Sequence, residues 1–295
     1  MIQLTMPTII VYGLLTATAL CVWLPRSVNE VTRIPVWMIM FGISTLAGIY
    51  HNIVEPGGVL YLIWLGLCCH TIRFLEVDRI IKVAVGLIAL LLVAGLFLHK
   101  IPLFNNPLVF DNFYFTDQSP AYKKYWNFDK AAGGVILLGY FGDVCRTAVD
   151  WKNLLRKSYG VALLTIAVSL LLAYIVGYIR LEVKFMAVYF LWAWASLVFT
   201  CVAEEMLFRG FIQKYLVKMY DNRTYQYAAV IFTGVLFGTA HFAGGAIYVF
   251  LATVAGVGYG FAYYLSGRIE GAILTHFILN SAHFLFFTYP YADSL

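Results

Sequence analysis

Long uncharged apolar runs constrain this chain more than any other feature of its sequence. They recur along the 295 residues in blocks of about 15–22, close to the ~20 residues that a helix needs to cross a bilayer. They lack the period-2 alternation of strands, which excludes a membrane barrel. The sequence therefore predicts an all-α fold, a polytopic transmembrane helical bundle of about 8–10 spans. The candidate spans are 7–24, 34–50, 58–72, 80–98, 131–146, 159–179, 185–207, 225–242, 246–265 and 270–289.

Two stretches of this pattern are irregular. The fifth run, 131–146, is short and contains AAGG, so it either crosses or is re-entrant and half-buried. The aromatic and polar segment 99–130 is expected to be an ordered interfacial loop, because Tyr and Trp favour the headgroup level.

Composition narrows the class of protein further. Hydrophobic residues make up 62% of the chain and charged residues 12%, against about 25% charged in soluble domains. Most Lys and Arg lie in short loops, the first at 25–33, as expected for loops that face a cytoplasm. No basic block favours nucleic acid, and the five cysteines form neither a CxxC motif nor a disulfide framework. We therefore predict a multi-pass plasma-membrane protein that binds no nucleic acid.

The stretch AEEMLFRGF places Glu204, Glu205 and Arg209 directly after an apolar run. On an α-helix, Glu205 and Arg209 are spaced i,i+4 and can pair, whereas Glu204 lies about 100° around the axis. A paired carboxylate stays ionised, and an unpaired one in apolar surroundings holds a proton more readily. The spacing thus predicts Glu205 as the paired carboxylate and Glu204 as the proton-transfer group. The alternative is a helix end with snorkelling charges.

His241 is expected at the depth of Glu204. Both residues lie about 26–28 Å from the turn at Asp221 and Asn222, at ~1.5 Å per residue. A His level with a carboxylate can help to hold and deprotonate a water molecule. The alternative is a structural His that is satisfied by a backbone or hydroxyl partner.

His276, Asn280 and His283 are spaced i, i+4, i+7 and form a stripe on one face of the last span. An Asn supplies uncharged donors, as an oxyanion site requires, although such a stripe also makes hydrogen-bonded seams between membrane helices. The same depth estimate places His276 nearer the cytoplasm than His241. The two histidines are therefore not expected to meet unless the last helix tilts or begins deeper.

Three motifs in this order resemble a known family. EEMLFR (204–209) fits EExxxR, FGTAH (237–241) fits FxxxH, and HFILN (276–280) fits HxxxN. Together they resemble the CPBP family of CAAX proteases and bacteriocin-processing proteins, also called ABI, which includes Rce1-type prenyl-protein endopeptidases. The resemblance covers roughly 185–289. WNFDKAAGG (126–134) also looks like a segment of bacterial members, which suggests a bacterial inner membrane.

The resemblance implies an intramembrane endopeptidase of the glutamic type. Glu204 would activate the water with help from His241, and His276 and Asn280 would stabilise the oxyanion. The implied substrate is a peptide or protein in or at the lipid bilayer, with or without an attached lipid. Oligomeric state is not predicted.

The resemblance also implies that Glu205 and Arg209 shape and charge-balance the site. No cofactor is expected. Two His and a Glu could hold zinc, but no HExxH lies on one helix, so a metal-free site is favoured over a zinc-dependent membrane protease. We divide the chain into residues 1–180, a transmembrane region without a usable motif, and 181–295, the protease core. The remaining alternative is a non-catalytic immunity or scaffold protein, or a transporter, although no repeat favours the latter.

Overall fold

The fold is almost entirely helical. A computed structural model describes residues 1–24 and 34–292, so the loop at 25–33 and residues 293–295 lie outside the description. The helices are α1 (Met6–Cys21), α2 (Val36–Tyr50), α3 (Pro56–Phe74), α4 (Arg79–Phe97), α5 (Phe128–Phe141), α6 (Ala148–Ile175), α7 (Val188–Met219), α8 (Arg223–Thr239), α9 (Gly245–Ser266) and α10 (Ile269–Phe286). A two-stranded sheet joins β1 (Leu108–Phe113) and β2 (Tyr122–Tyr125).

Helix lengths and apolar composition confirm a polytopic all-α membrane protein. Within the described residues, six helices are long and apolar enough to cross a membrane: α3, α4, α6, α7, α9 together with the preceding turn, and α10. The apolar helices α1 and α2 are shorter, with 16 and 15 residues. Many large apolar side chains on these helices are exposed, as expected for surfaces that face lipid.

The two irregular stretches fold in distinct ways. Helix α5 has only 14 residues, fewer than the ~20 of a full crossing, and nearly all of them are buried. The segment 99–130, which the sequence presents as a loop, contains the small sheet and the first residues of α5. This segment is therefore ordered, and some of its side chains, including Phe110 and Trp126, are buried.

The chain forms two compact units that interleave along the sequence. The first unit contains Met1–Asp111, Lys123–Gly142 and Val198–Leu207, and the second contains Asn112–Tyr122, Asp143–Leu197 and Phe208–Leu295. In the first unit α3, α4 and α5 pack on one another, and α1 packs on α2 and α5. In the second unit α9 packs on α6, α8 and α10. The functional division at residue 180 stays a prediction.

Helix α7 contains two π-helical segments, Ser196–Cys201 and Met206–Gln213. One α-helical turn, Val202–Glu205, separates them and carries both carboxylates. A π segment adds a residue to the turn, and such segments are frequent at functional sites. The helical periodicity around the two glutamates therefore differs from the regular α-helix that the sequence suggests.

Glycines bring α8 and α9 into close contact in the second unit. A Cβ added at Gly234 would lie 2.5 Å from the Val257 side chain, and one at Gly238 would lie 1.9 Å from Thr253 Oγ1. Gly234 and Gly238 form a small-xxx-small pattern, which lets membrane helices approach at backbone distance. This contact fixes Phe237 and the end of α8 against α9.

Candidate active site

Glu204 and Glu205 lie in the first unit and are both buried. The Nζ of Lys130 on α5 donates to Glu204 Oε1 at 2.6 Å. Glu204 is therefore an ion-paired carboxylate, and the expectation that it is the unpaired one is wrong. The cation comes from 74 residues earlier in the chain, so helical spacing within α7 could not reveal it.

Lys130 is the functional candidate that the sequence reasoning missed. It belongs to WNFDKAAGG, the segment noted for its likeness to bacterial members, and this likeness was the available signal. Its ammonium also lies 5.5 Å from the ring centroid of Phe97. A second lysine, Lys124 on β2, is near the pair. Burial and the positive charge of Lys130 lower the pKa of Lys124 to about 8, and Glu204 opposes this shift.

Arg209 is fully buried in the second unit among aromatic rings. Its guanidinium carbon lies 4.6 Å from the ring centroid of Phe237 and 5.5 Å from that of Tyr259. Its Nη2 donates to the carbonyl oxygen of Gly256 at 2.7 Å. Arg209 thus links α7 to α8 and α9 through cation–π contacts and a hydrogen bond.

His276 is buried against the same rings. Its imidazole stacks on Tyr259, with centroids 4.6 Å apart, and meets Phe237 edge-on at 5.7 Å. His241 contacts Phe237 as well, with centroids 4.7 Å apart. Both histidines therefore border one aromatic ring. The expected difference in their depth stays a prediction.

His241 lies just beyond the end of α8 rather than within a helix. Its Nδ1 is 2.7 Å from the carbonyl oxygen of Phe237, an acceptor, so Nδ1 carries the hydrogen. In a neutral imidazole this tautomer leaves the lone pair on Nε2. The backbone contact thus gives His241 the form that can accept a proton or orient a water molecule.

Asn280 and His283 occupy later positions on α10. Asn280 is half-buried one turn after His276, on the same helix face. His283 Nε2 donates to the carbonyl oxygen of Thr288 at 3.1 Å. His283 therefore bonds to the segment that directly follows its own helix, and a hydrogen-bonded seam between helices stays the alternative for the stripe.

The motif residues divide between the two units. Glu204 and Glu205 lie in the first, and Arg209, His241, His276 and Asn280 lie in the second. The structure groups Arg209, His241 and His276 around Phe237, and it groups Glu204 with Lys130. The pairing of Glu205 with Arg209, and the convergence of Glu204 with His241, stay predictions.

Across residues 1–24 and 34–292, no set of three His, Cys, Asp or Glu side chains has a geometry that could hold a metal ion. The preference for a metal-free site stays a prediction.

Comparison with known protein families finds a match for one segment of the chain. Residues 186–282 match a family model named Rce1-like, whose description is type II CAAX prenyl endopeptidase Rce1-like. This segment contains all seven fixed residues of the three motifs. No curated protein and no solved structure matches the chain.

Proposed function

We propose that this chain, whose residues 186–282 belong to the Rce1-like family of type II CAAX prenyl endopeptidases, is an intramembrane endopeptidase that activates water with Glu204 and His241. The observation that carries the proposal is the buried, ion-paired carboxylate of Glu204 within the matched segment. Buried ionisable groups in membrane helices are costly and tend to be functional. A polytopic fold supplies the membrane setting, and the substrate is a peptide or protein.

The first chemical step is the attack of water on a peptide carbonyl. The Glu204 carboxylate takes one proton from the water while the water oxygen bonds to the carbonyl carbon. His241, with its lone pair on Nε2, orients the same water molecule through a hydrogen bond. The carbonyl π electrons move onto the oxygen, which becomes an oxyanion.

Donors on α10 stabilise that oxyanion. His276 and the amide of Asn280 lie one turn apart on one helix face, and both offer N–H groups. Such donors act most strongly where water is excluded. The tetrahedral intermediate then collapses, the C–N bond breaks, and the proton held by Glu204 moves to the leaving amine.

Glu205 and Arg209 have supporting roles in this proposal. Arg209 is held by Phe237, Tyr259 and the Gly256 carbonyl, so its charge is fixed in place. Fixed charge at a buried site reduces the reorganisation that the reaction requires. Glu205, fully buried one residue after the base, would balance the charge of Arg209.

The proposed location is the bacterial inner membrane, and the proposed substrates are membrane-associated. The family name concerns prenylated CAAX proteins, so a farnesylated peptide with a CAAX terminus is a suitable first probe. The same peptide without the lipid tests whether the lipid is needed. A mixture of membrane-protein peptides tests other substrates.

The test uses the full-length protein, purified and reconstituted in lipid vesicles. Mass spectrometry should detect a new peptide terminus with wild type, and Glu204→Gln should reduce its formation at least a hundredfold. Equal cleavage by wild type and Glu204→Gln would show that the base is assigned wrongly. If wild type cleaves none of the three probes, a non-catalytic immunity or scaffold role becomes the better explanation.

A further inference from the structure

We propose that Lys130 is a positioning residue for Glu204, whose ammonium keeps the general base ionised and fixes the direction of its carboxylate. This inference rests on the proposed function and deepens it. It concerns a residue outside the segment that matches the family model and outside all three motifs.

The pair has the geometry of a strong charge-assisted hydrogen bond. Lys130 Nζ and Glu204 Oε1 are 2.6 Å apart, and the two side chains are only 15% and 7% exposed. Charge-assisted bonds of this length are about twice as strong as neutral ones. At this burial, the loss of one partner leaves a charge that its surroundings solvate poorly.

The contact between α5 and α7 fixes the place from which Lys130 reaches Glu204. Lys130 and Gly134 are spaced i,i+4 and share one face of α5. A Cβ at Gly134 would lie 2.5 Å from Ala203 Cα, so the two backbones touch there. Ala203 directly precedes Glu204, and one helix contact therefore sets both ends of the ion pair.

A polar network holds the first turn of α5. The buried Asp129 carboxylate lies 2.7 Å from His99 Nδ1 and accepts from Asn106 Nδ2 at 3.0 Å. Asp129 Oδ1 also accepts from the backbone N–H of Lys130 at 2.8 Å. Residues 99 and 106 thus limit the movement of the turn that carries Lys130.

The segment of α7 before Glu204 is held in the same unit by aromatic packing. Phe199 contacts Tyr12 at 5.0 Å and Trp126 at 5.4 Å between ring centroids. The Tyr12 hydroxyl donates to the carbonyl oxygen of Trp126, which lies four residues before Lys130. Both partners of the ion pair are therefore attached to one packed region. The packing of this unit thus sets the distance between the Lys130 ammonium and the Glu204 carboxylate.

The chemistry requires such a cation. A carboxylate accepts a proton from water only when it is ionised, and apolar surroundings favour its protonated form. The charged and titratable groups near Glu204 in the first unit include Lys130 on α5, Lys124 on β2, and Cys201 and Glu205 on α7. Of these groups, Lys130 donates a direct hydrogen bond to the Glu204 carboxylate.

The experiment is an infrared pH titration of the reconstituted full-length protein. The signal of Glu204 is isolated by subtracting the spectrum of Glu204→Gln. In wild type the Glu204 carboxylate should stay ionised at pH 7. In Lys130→Met the protonated form should appear there, with a midpoint higher by about 1–3 pH units. Lys130→Arg should restore the carboxylate signal at pH 7, because it keeps a cation.

Lys214→Met is the matched control. Lys214 is also 15% exposed and pairs with Asp143 at 2.7 Å, but it lies in the second unit. Its loss should leave the Glu204 titration unchanged. If Lys130→Met has the wild-type midpoint while it folds normally, the inference is overturned.

Proteolysis provides the second readout. It distinguishes the proposed catalytic role of Glu204 from the proposed positioning role of Lys130. The acidic limb of the pH–rate profile should move up in Lys130→Met, and Lys130→Arg should move it back. If Glu204→Gln remains active while the infrared shift is present, the proposed catalytic role fails and the ion pair stands. If Glu204→Gln is inactive but Lys130→Met only loses thermal stability, with an unmoved profile, Lys130 is structural and the inference fails.

Discussion

The imidazole of His276 lies parallel to the phenol ring of Tyr259, with centroids 4.6 Å apart and 12° between the planes. The same phenol ring lies 5.5 Å from the guanidinium carbon of Arg209. Tyr259 therefore orients two motif residues, although it belongs to none of the three motifs.

The first prediction concerns this ring. Tyr259→Leu removes the stack, and the resulting loss of orientation should lower kcat about threefold to tenfold, since such a pair contributes about 0.5–1.5 kcal/mol. Tyr259→Phe keeps the ring and should retain most of the activity. Steady-state kinetics on the cleaved probe measures both. Similar losses in the two variants would indicate that the hydroxyl matters, not the ring.

The second prediction concerns the contact between α8 and α9. Gly238→Ala places a methyl group 1.9 Å from Thr253 Oγ1, so the helices must move apart. We expect a loss of about 1–3 kcal/mol in the free energy of unfolding, as for other overpacked sites, and a lower melting temperature in detergent. Gly160→Ala is the control, because a Cβ there meets no atom within 4 Å. An unchanged melting temperature in Gly238→Ala would contradict the close packing.

The third prediction concerns the network that begins α5. Asp129→Ala leaves His99 and Asn106 without their buried acceptor and should destabilise the protein by about 1–3 kcal/mol. Thermal unfolding in detergent is the measurement. Asp117→Ala, at an exposed position, should change stability by less than about 0.5 kcal/mol. Comparable melting temperatures for the two variants would mean that the network is dispensable.

The fourth prediction concerns Lys124 and pH. Its folded pKa of about 8 lies below the ordinary Lys value of 10.5, so above pH 8 the unfolded chain binds more protons than the folded one. Stability should therefore rise with pH between about 8 and 10.5 through this group, and Lys124→Met should flatten that rise. The exposed Lys123→Met serves as control. Parallel stability curves for wild type and Lys124→Met would show that Lys124 titrates normally.

The fifth prediction concerns metal dependence. With Glu204 and His241 acting directly on water, cleavage should persist after extensive treatment with a zinc chelator. The rate is measured before treatment, after it, and after zinc is added back. A loss that zinc alone reverses would favour the zinc-dependent alternative.

The sequence predicts the fold class well because a helix that crosses a membrane needs a long run of apolar residues. Such runs are visible in the sequences of α3, α4, α6 and α9. The sequence also indicates a resemblance that the family model supports for residues 186–282, because the three motifs depend on local spacing. The partner of Glu204 was beyond such reasoning, because Lys130 approaches from 74 residues away through the packing of α5. That His276 and His241 contact the same aromatic ring was beyond it for a similar reason. Their common neighbour, Phe237, reflects how α8, α9 and α10 pack, which spacing within one helix does not determine.

The π segments of α7 have a consequence for how this helix tolerates mutation. A π segment fits one extra residue into a turn, so deleting one residue from Ser196–Cys201 would let the segment close as a regular α-helix while the following turn keeps its direction. A substitution that closed the segment as an α-helix without a deletion would have the opposite result. Everything after the segment, including Glu204, would then turn by about 100° and shift by ~1.5 Å. The two carboxylates are thus aimed by the winding of the helix before them as well as by their identity, and rewinding that segment would misdirect them while every side chain of the motif remains in place.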